Sequence, residues 1–248
     1  MLLIGALRAD EDVALLKPGE ALTYKVGWGP VSHAGEIKIR AQSEVVDGQP
    51  QLLVKTETRT RGFIRTILRF DGTAQSRFDA HSGRLLSASA STLSKKKNTQ
   101  ASMTLDYAKR EIGYVDYLEP QRSSTLPLPA GAPMDMITAL IQTRAWDLEL
   151  GQSHEALVMF DNQFYPLKIT AEREETISTS KGPRQALLLI PTMTGTPKGM
   201  FRKGAEVRVW VSTDRDRLPL RFEVRLKVGT AYATLSDYQA PTVLLTRR

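Results

Sequence analysis

The side chains best suited to acid–base or metal chemistry near neutral pH are three histidines, His33, His81 and His154. A metal site needs several nitrogen, oxygen or sulfur ligands converging at about 2 Å. These three stand beside turn-forming or element-starting residues, far apart along the chain, and read as exposed loop histidines. The chain has no cysteine, which removes thiolate nucleophiles, disulfides and cysteine-based zinc or iron–sulfur sites. Ser94-Lys95-Lys96-Lys97 and Ser178-Thr179-Ser180-Lys181 both fit a Ser-x-x-Lys pattern. Serine acyl enzymes that use it place the serine at a helix start and desolvate the lysine one turn later. Both stretches here are polar and flank strands, where a lysine stays hydrated and charged, so both are chance matches. Carboxylate groups such as Asp214 with Asp216, or Glu172 with Glu174 and Glu175, are interleaved with arginine or crowded on one strand. Surface ion pairing accounts for them. No Gly-x-Ser-x-Gly elbow, Gly-x-Gly-x-x-Gly turn or Walker loop occurs. No catalytic residue, metal or cofactor is therefore assigned, and the chain reads as non-enzymatic.

What remains is a set of large apolar side chains that either fill a core or surround a cavity. Trp28, Phe70, Leu140, Trp146, Trp210 and Phe222 are the candidates to line such a cavity and hold an acyl chain or similar apolar ligand. A filled interior wants the same residues, so both versions stand at this point.

The elements that must position them follow period two rather than 3.6. Leu218, Leu220, Phe222, Val224, Leu226 and Val228 alternate with Arg221, Glu223, Arg225 and Lys227, which predicts a strand with one apolar and one wet face. Gly229-Thr230 predicts a two-residue hairpin leading to the run that ends at Tyr238. Upstream, Val207, Val209 and Val211 alternate with Arg208 and Trp210, so three consecutive strands close the chain as a meander. Leu22, Tyr24, Val26 and Trp28 open it in the same style. Further strands are expected around 36–40, 52–58, 63–70, 74–80, 84–93, 99–107, 111–117, 154–161, 164–174 and 184–191. One segment differs. After Pro127, Pro129 and Pro133, Met136, Ile137, Leu140 and Ile141 recur at helical spacing, with Asp135 placed to cap the first turn. The fold class is thus mainly β: an antiparallel meander forming a curved sheet, half-barrel or barrel, with one amphipathic helix around 135–146. Similar strands on both sides of that helix predict one β-rich domain over 18–240, followed by a tail at 241–248.

The 248 residues are 41% apolar and 25% charged, ordinary for a globular protein. No run of about 18 apolar residues exists to span a membrane as a helix. Residues 1–9, Met1-Leu2-Leu3-Ile4-Gly5-Ala6-Leu7-Arg8-Ala9, form an apolar run ending in small residues and followed by Asp10-Glu11-Asp12. They read as the remnant of a secretory signal peptide cleaved near Ala9, which makes the protein periplasmic or otherwise exported. The net charge of +7 does not point to nucleic acid, because lysine and arginine alternate with apolar residues along strands, as on a solvated sheet face, and the one cationic run has no interleaved aromatics. Lys95-Lys96-Lys97 is the one cationic run. It is expected at a hairpin tip, with weak, salt-sensitive attraction to anionic head groups as its sharper reading.

These residues together resemble a bacterial family of unknown function, domain of unknown function 3108, over roughly 18–240. The resemblance rests on Gly19-Glu20-Ala21-Leu22-Thr23-Tyr24-Lys25-Val26-Gly27-Trp28 with Ala34-Gly35, then Arg69-Phe70-Asp71. It continues in Asp135-Met136-Ile137-Thr138-Ala139-Leu140 ending at Arg144, then Val209-Trp210-Val211-Ser212-Thr213-Asp214, Leu218-Pro219-Leu220 and Gly229. The sequence departs from the pattern around Pro30-Val31-Ser32-His33. The resemblance implies an exported envelope protein of Gram-negative bacteria and carries no reaction with it. The sheet-plus-helix plan is also similar to periplasmic lipid carriers of the localisation-of-lipoprotein type, an analogy of fold alone. Two roles are therefore expected: a periplasmic carrier of an apolar or lipid-like molecule, or an envelope scaffolding module with a filled core that binds another envelope protein. A hydrolase stands third.

Overall fold

The computed structural model describes residues 16–241 apart from Asp161 and Val228. The expected signal-peptide remnant at 1–9 lies outside the described residues, as does the tail from 242 onward. Among the described residues, fifteen strands form one curved, unclosed sheet. The N-terminal half supplies β1 (Ala21–Trp28), β2 (Val31–Val46), β3 (Gln49–Thr60), β4 (Phe70–Asp79), β5 (Leu85–Ser94), β6 (Thr99–Asp106), β7 (Glu111–Asp116) and β8 (Ser124–Pro127). The C-terminal half supplies β9 (Met134–Asp135), β10 (Ser153–Phe160), β11 (Gln163–Thr179), β12 (Gly182–Met193), β13 (Glu206–Ser212), β14 (Pro219–Leu226) and β15 (Gly229–Gln239). Two short helices interrupt them, α1 (Gly62–Ile67) and α2 (Met136–Gln142).

The two halves join where β1 pairs antiparallel with β15, from Ala21 opposite Gln239 to Trp28 opposite Ala231. The spatial order is then a ring of sequence neighbours, all antiparallel except the parallel pair β9–β10, cut once between β8 and β9. Those two edge strands are the shortest in the sheet, four and two residues, which limits the unpaired backbone available to another chain.

Alternation sets the inner surface. Leu22, Ile39, Phe78, Leu85 and Ile112 are almost fully enclosed in one cluster. Each contributes about 1.5–3 kcal/mol before the entropy of ordering is set against it. β12 and β13 depart from the expectation of one wet face. Ala186, Leu188 and Trp210 belong to that cluster, whereas Leu187, Leu189, Val209 and Val211 belong to a second one. Both faces of this stretch are covered, as a continuous apolar run such as Ala186-Leu187-Leu188-Leu189 requires.

The C-terminal meander forms as expected. Its last hairpin turns two residues earlier than Gly229-Thr230, because Leu226 pairs with Gly229 and Arg225 with Thr230. Nor is the charged face of β14 simply wet. The Arg221 guanidinium lies 4.6 Å from the Tyr232 ring centroid and 5.7 Å from that of Trp210, and it pairs with Glu223 at 2.6 Å. Gly27 makes room for this stack, since a Cβ there would fall 2.2 Å from the Tyr232 ring.

The expected strand at 63–70 is instead the helix α1, with β4 beginning only at Phe70. Phe63, Ile64, Ile67 and Leu68 recur at helical spacing, and Gly62 at φ +54° opens the turn that an extended chain would not need. α2 starts where expected. One Asp135 carboxylate oxygen accepts the amides of Ile137 (2.9 Å) and Thr138 (3.0 Å), a cap worth about 1 kcal/mol. The helix stops at Gln142 rather than 146. Beyond it the chain tightens into three-residue turns, with Arg144 N–H on Ile141 O and Ala145 N–H on Gln142 O.

Candidate functional site: an apolar cleft beneath the second helix

α2 is held at the cut in the ring by groups from distant parts of the chain. Glu20, just before β1, is buried. Its Oε1 accepts from Arg144 Nη1 at 3.1 Å and from the Tyr238 hydroxyl at 2.7 Å, while Oε2 accepts the Lys17 amide at 2.5 Å. On the other side Arg217 donates to the carbonyls of Arg144 (3.1 Å) and Trp146 (2.6 Å) and pairs with Asp147 at 3.2 Å. Arg217 thereby satisfies carbonyls past the helix end that would otherwise lack partners. Burial, and then the neighbouring Glu20 carboxylate, push the Tyr238 phenol up to about 12.

So anchored, α2 divides its apolar side chains. Ile137 and Ile141 pack with the first cluster, and Met136, Ala139 and Leu140 with the second. Between the helix and the sheet lies a cleft of about 130 Å³. Leu140 and Trp146 form one wall, and Val158, Ile169, Val209 and Phe222 from the strands form the other. Met200 and Phe201, in a short turn at Gly199–Phe201, wall it from the end. Among the lining side chains only the Thr143 hydroxyl and the Trp146 indole N–H can hydrogen-bond, and the hydroxyl is already donated to the Leu140 carbonyl at 2.6 Å. The cleft therefore offers almost nothing but apolar contact. An apolar site of similar size, about 150 Å³, stays dry and takes up benzene.

Three of the six residues read from the sequence line this cleft: Leu140, Trp146 and Phe222. Trp28 is 37% exposed beside Gly229. Phe70 starts β4, where its amide bonds Thr60 Oγ1. Trp210 is buried on the opposite face of β13, its indole N–H donated to Glu175 Oε1 at 2.5 Å. Alternation carries that signal for Trp210, which is out of phase with Val209. The clamp residues Glu20, Arg144 and Arg217 stand in no motif of chemistry, and only folding brings them together.

The other chemically capable side chains are spent on structure. Ser94 Oγ donates to Lys97 O within its turn, and Lys97 pairs with Glu119. Lys181 pairs with Asp237. His33 bonds Ser32, and the His154 ring stacks on Trp146 with centroids 4.3 Å apart. Asp214 accepts from Ser212 and pairs with Arg184. Among the described residues no three His, Asp or Glu side chains gather as a metal site, and no helix is long and apolar enough to cross a membrane.

In fold, the chain is similar to a β-barrel-like protein of the DUF1849 domain of unknown function from Brucella abortus. The two share 8% identity over 91% of this chain and 98% of the other, with a TM-score of 0.55. Weaker likenesses reach a Chlamydia trachomatis protein, CT021 (9% identity, 94% and 92% of the two chains, TM-score 0.40). Another is to a protein with a YmcC-like fold from Bacteroides fragilis (9% identity, 90% and 97%, TM-score 0.37). No curated protein matches the chain. The family model described as a protein of unknown function, DUF3108, matches residues 23–236.

Proposed function

The chain belongs to the DUF3108 family of proteins of unknown function, and on that premise we propose that it is a non-enzymatic carrier of an apolar, lipid-like molecule in the cell envelope. One observation carries this reading. The cleft under α2 is walled by aliphatic and aromatic side chains, and its single hydroxyl is already satisfied. A preformed apolar pocket favours a ligand's hydrocarbon part and gives no polar groups from which a reaction could start. At about 130 Å³ it seats one ring or the end of one chain, leaving the rest of a longer ligand at the mouth. The apolar run of residues 1–9 supports export, which would bring the protein to envelope lipids.

Native mass spectrometry on protein released from the envelope of its own cell is expected to show a lipid adduct, and a fluorescent fatty acid is expected to titrate into the delipidated protein. Bare protein in the first measurement together with no uptake in the second would overturn the proposal.

A further inference from the structure

The exposed apolar side chains are distributed unevenly. Among the described residues twelve large ones are exposed, and only Val45 and Leu150 lie away from one end of the sheet. Strand registers define that end. It carries the β1–β2 turn at Trp28 and Val31, α1 between β3 and β4, and the β5–β6 tip at 95–98. α1 is its most prominent feature. None of its residues is buried, and Phe63 is 75% and Ile67 61% exposed, with Leu68 and Leu93 alongside. This reverses the usual order, in which a helix turns its apolar side to the core.

The arginines within this stretch turn back onto the protein. Arg65 forms a two-pronged pair with Asp71 at 2.8 Å, and Arg61 bonds Glu36 at 2.9 Å. Beside the helix stands the β5–β6 tip, bound to it through Lys95 N–H on Arg69 O and Lys95 Nζ on Thr66 O. The two tracts 59–71 and 93–97 together hold seven cationic side chains against one carboxylate, Asp71. Lys95 and Lys96 have no carboxylate partner among the described residues, and both are exposed.

We propose that this end of the sheet docks on an anionic lipid bilayer, with Phe63, Ile67 and Leu68 entering below the head groups while Lys95 and Lys96 meet the phosphates. Exposed apolar side chains with two lysines beside them match the two layers of an anionic membrane surface, hydrocarbon beneath negative charge. A polyanion without hydrocarbon would leave the apolar side chains unused, and a protein partner would not require the lysines beside them. The Gly199–Phe201 turn that walls the cleft joins β12 to β13 at the same end, so docking would hold the cleft close to the bilayer. The surface itself is argued independently of whether the cleft is occupied.

The test is sedimentation of the full chain with vesicles of phosphatidylcholine alone or mixed with phosphatidylglycerol. Binding is expected on the mixed vesicles and is expected to weaken at least about tenfold on the neutral ones. Lys95→Glu/Lys96→Glu is expected to weaken it by about tenfold or more, as is raising salt from about 0.1 to about 1 M. Phe63→Ser/Ile67→Ser is also expected to weaken it, with an unchanged thermal melt because α1 buries nothing. No binding by the wild type overturns the proposal. So does binding that survives both double variants, or binding that loses its dependence on the lysines or on the apolar pair alone.

Discussion

Replacing Glu20 by glutamine tests how α2 is held. The substitution keeps the shape of the side chain and removes its charge. The Glu20 side chain is 1% exposed, and its partner Arg144 is 16% exposed. Removing one member of a buried ion pair costs about 3–5 kcal/mol, because the remaining charge is left without compensation. Arg144 keeps some access to water, which places the cost at the low end, about 3 kcal/mol. For a chain of this length each kcal/mol lowers the melting temperature by about 2–4 °C, so Glu20→Gln is expected to melt about 6–12 °C below the wild type. The assay is thermal and urea unfolding followed by circular dichroism. Glu20→Gln combined with Arg144→Met is expected to cost less than the sum of the single changes by about 1–3 kcal/mol, since the double variant strands no charge. A loss under about 1 kcal/mol would refute the reasoning by assigning the pair the worth of a surface contact. Strict additivity would refute it equally.

Leu140→Trp places a larger side chain in the cleft. Fatty-acid uptake is expected to weaken by about tenfold or more, equivalent to about 1.4 kcal/mol, while overpacking costs about 1–3 kcal/mol of stability; a fluorescence titration beside a thermal melt separates the two. Acid unfolding has a defined sign. The Arg65 hydrogen bond holds the Asp71 carboxyl below the usual range, the Ser82 amide does so for Asp79, and the Trp210 indole for Glu175. These groups stabilise the fold above about pH 4, the ordinary carboxylate value, and that stability is expected to drain as pH falls through the lower folded values. Stability measured by urea unfolding should be level from pH 7 to about 5 and decline below. Burial raises the Tyr24 phenol, whose hydroxyl bonds Pro219 O, and the Tyr238 phenol is pushed up to about 12. Folded protein titrated by ultraviolet absorbance should leave both unionised near pH 10, and stability should fall only as pH rises beyond that value.

Much of the strand pattern was legible because alternation is local. Leu22, Tyr24 and Val26 announce β1, and Leu218, Leu220 and Phe222 announce β14. Asp135 marked the start of α2, since a cap needs only the next three residues. The pairing of β1 with β15 was not legible. It joins residues more than 200 positions apart, and no local pattern encodes which strand end meets which. The clamp stayed hidden for the same reason, because Glu20 and Arg144 lie 124 positions apart and each alone resembles a surface charge. α1 was legible in principle, its four apolar residues having helical spacing, but the segment is short enough to pass as a strand. Of the six cavity candidates read from the sequence as large apolar side chains, Trp28, Phe70 and Trp210 do not line this cleft. Facing direction decides lining, and for Trp210 alternation already opposed it to Val209.

The most direct measurement is a crystal structure of the protein soaked with a fatty acid brominated near its methyl end. Anomalous bromine signal is expected in the cleft, within van der Waals reach of Leu140, Trp146 and Phe222. Signal confined to another part of the molecule, or a cleft closed by its own side chains, would contradict the account.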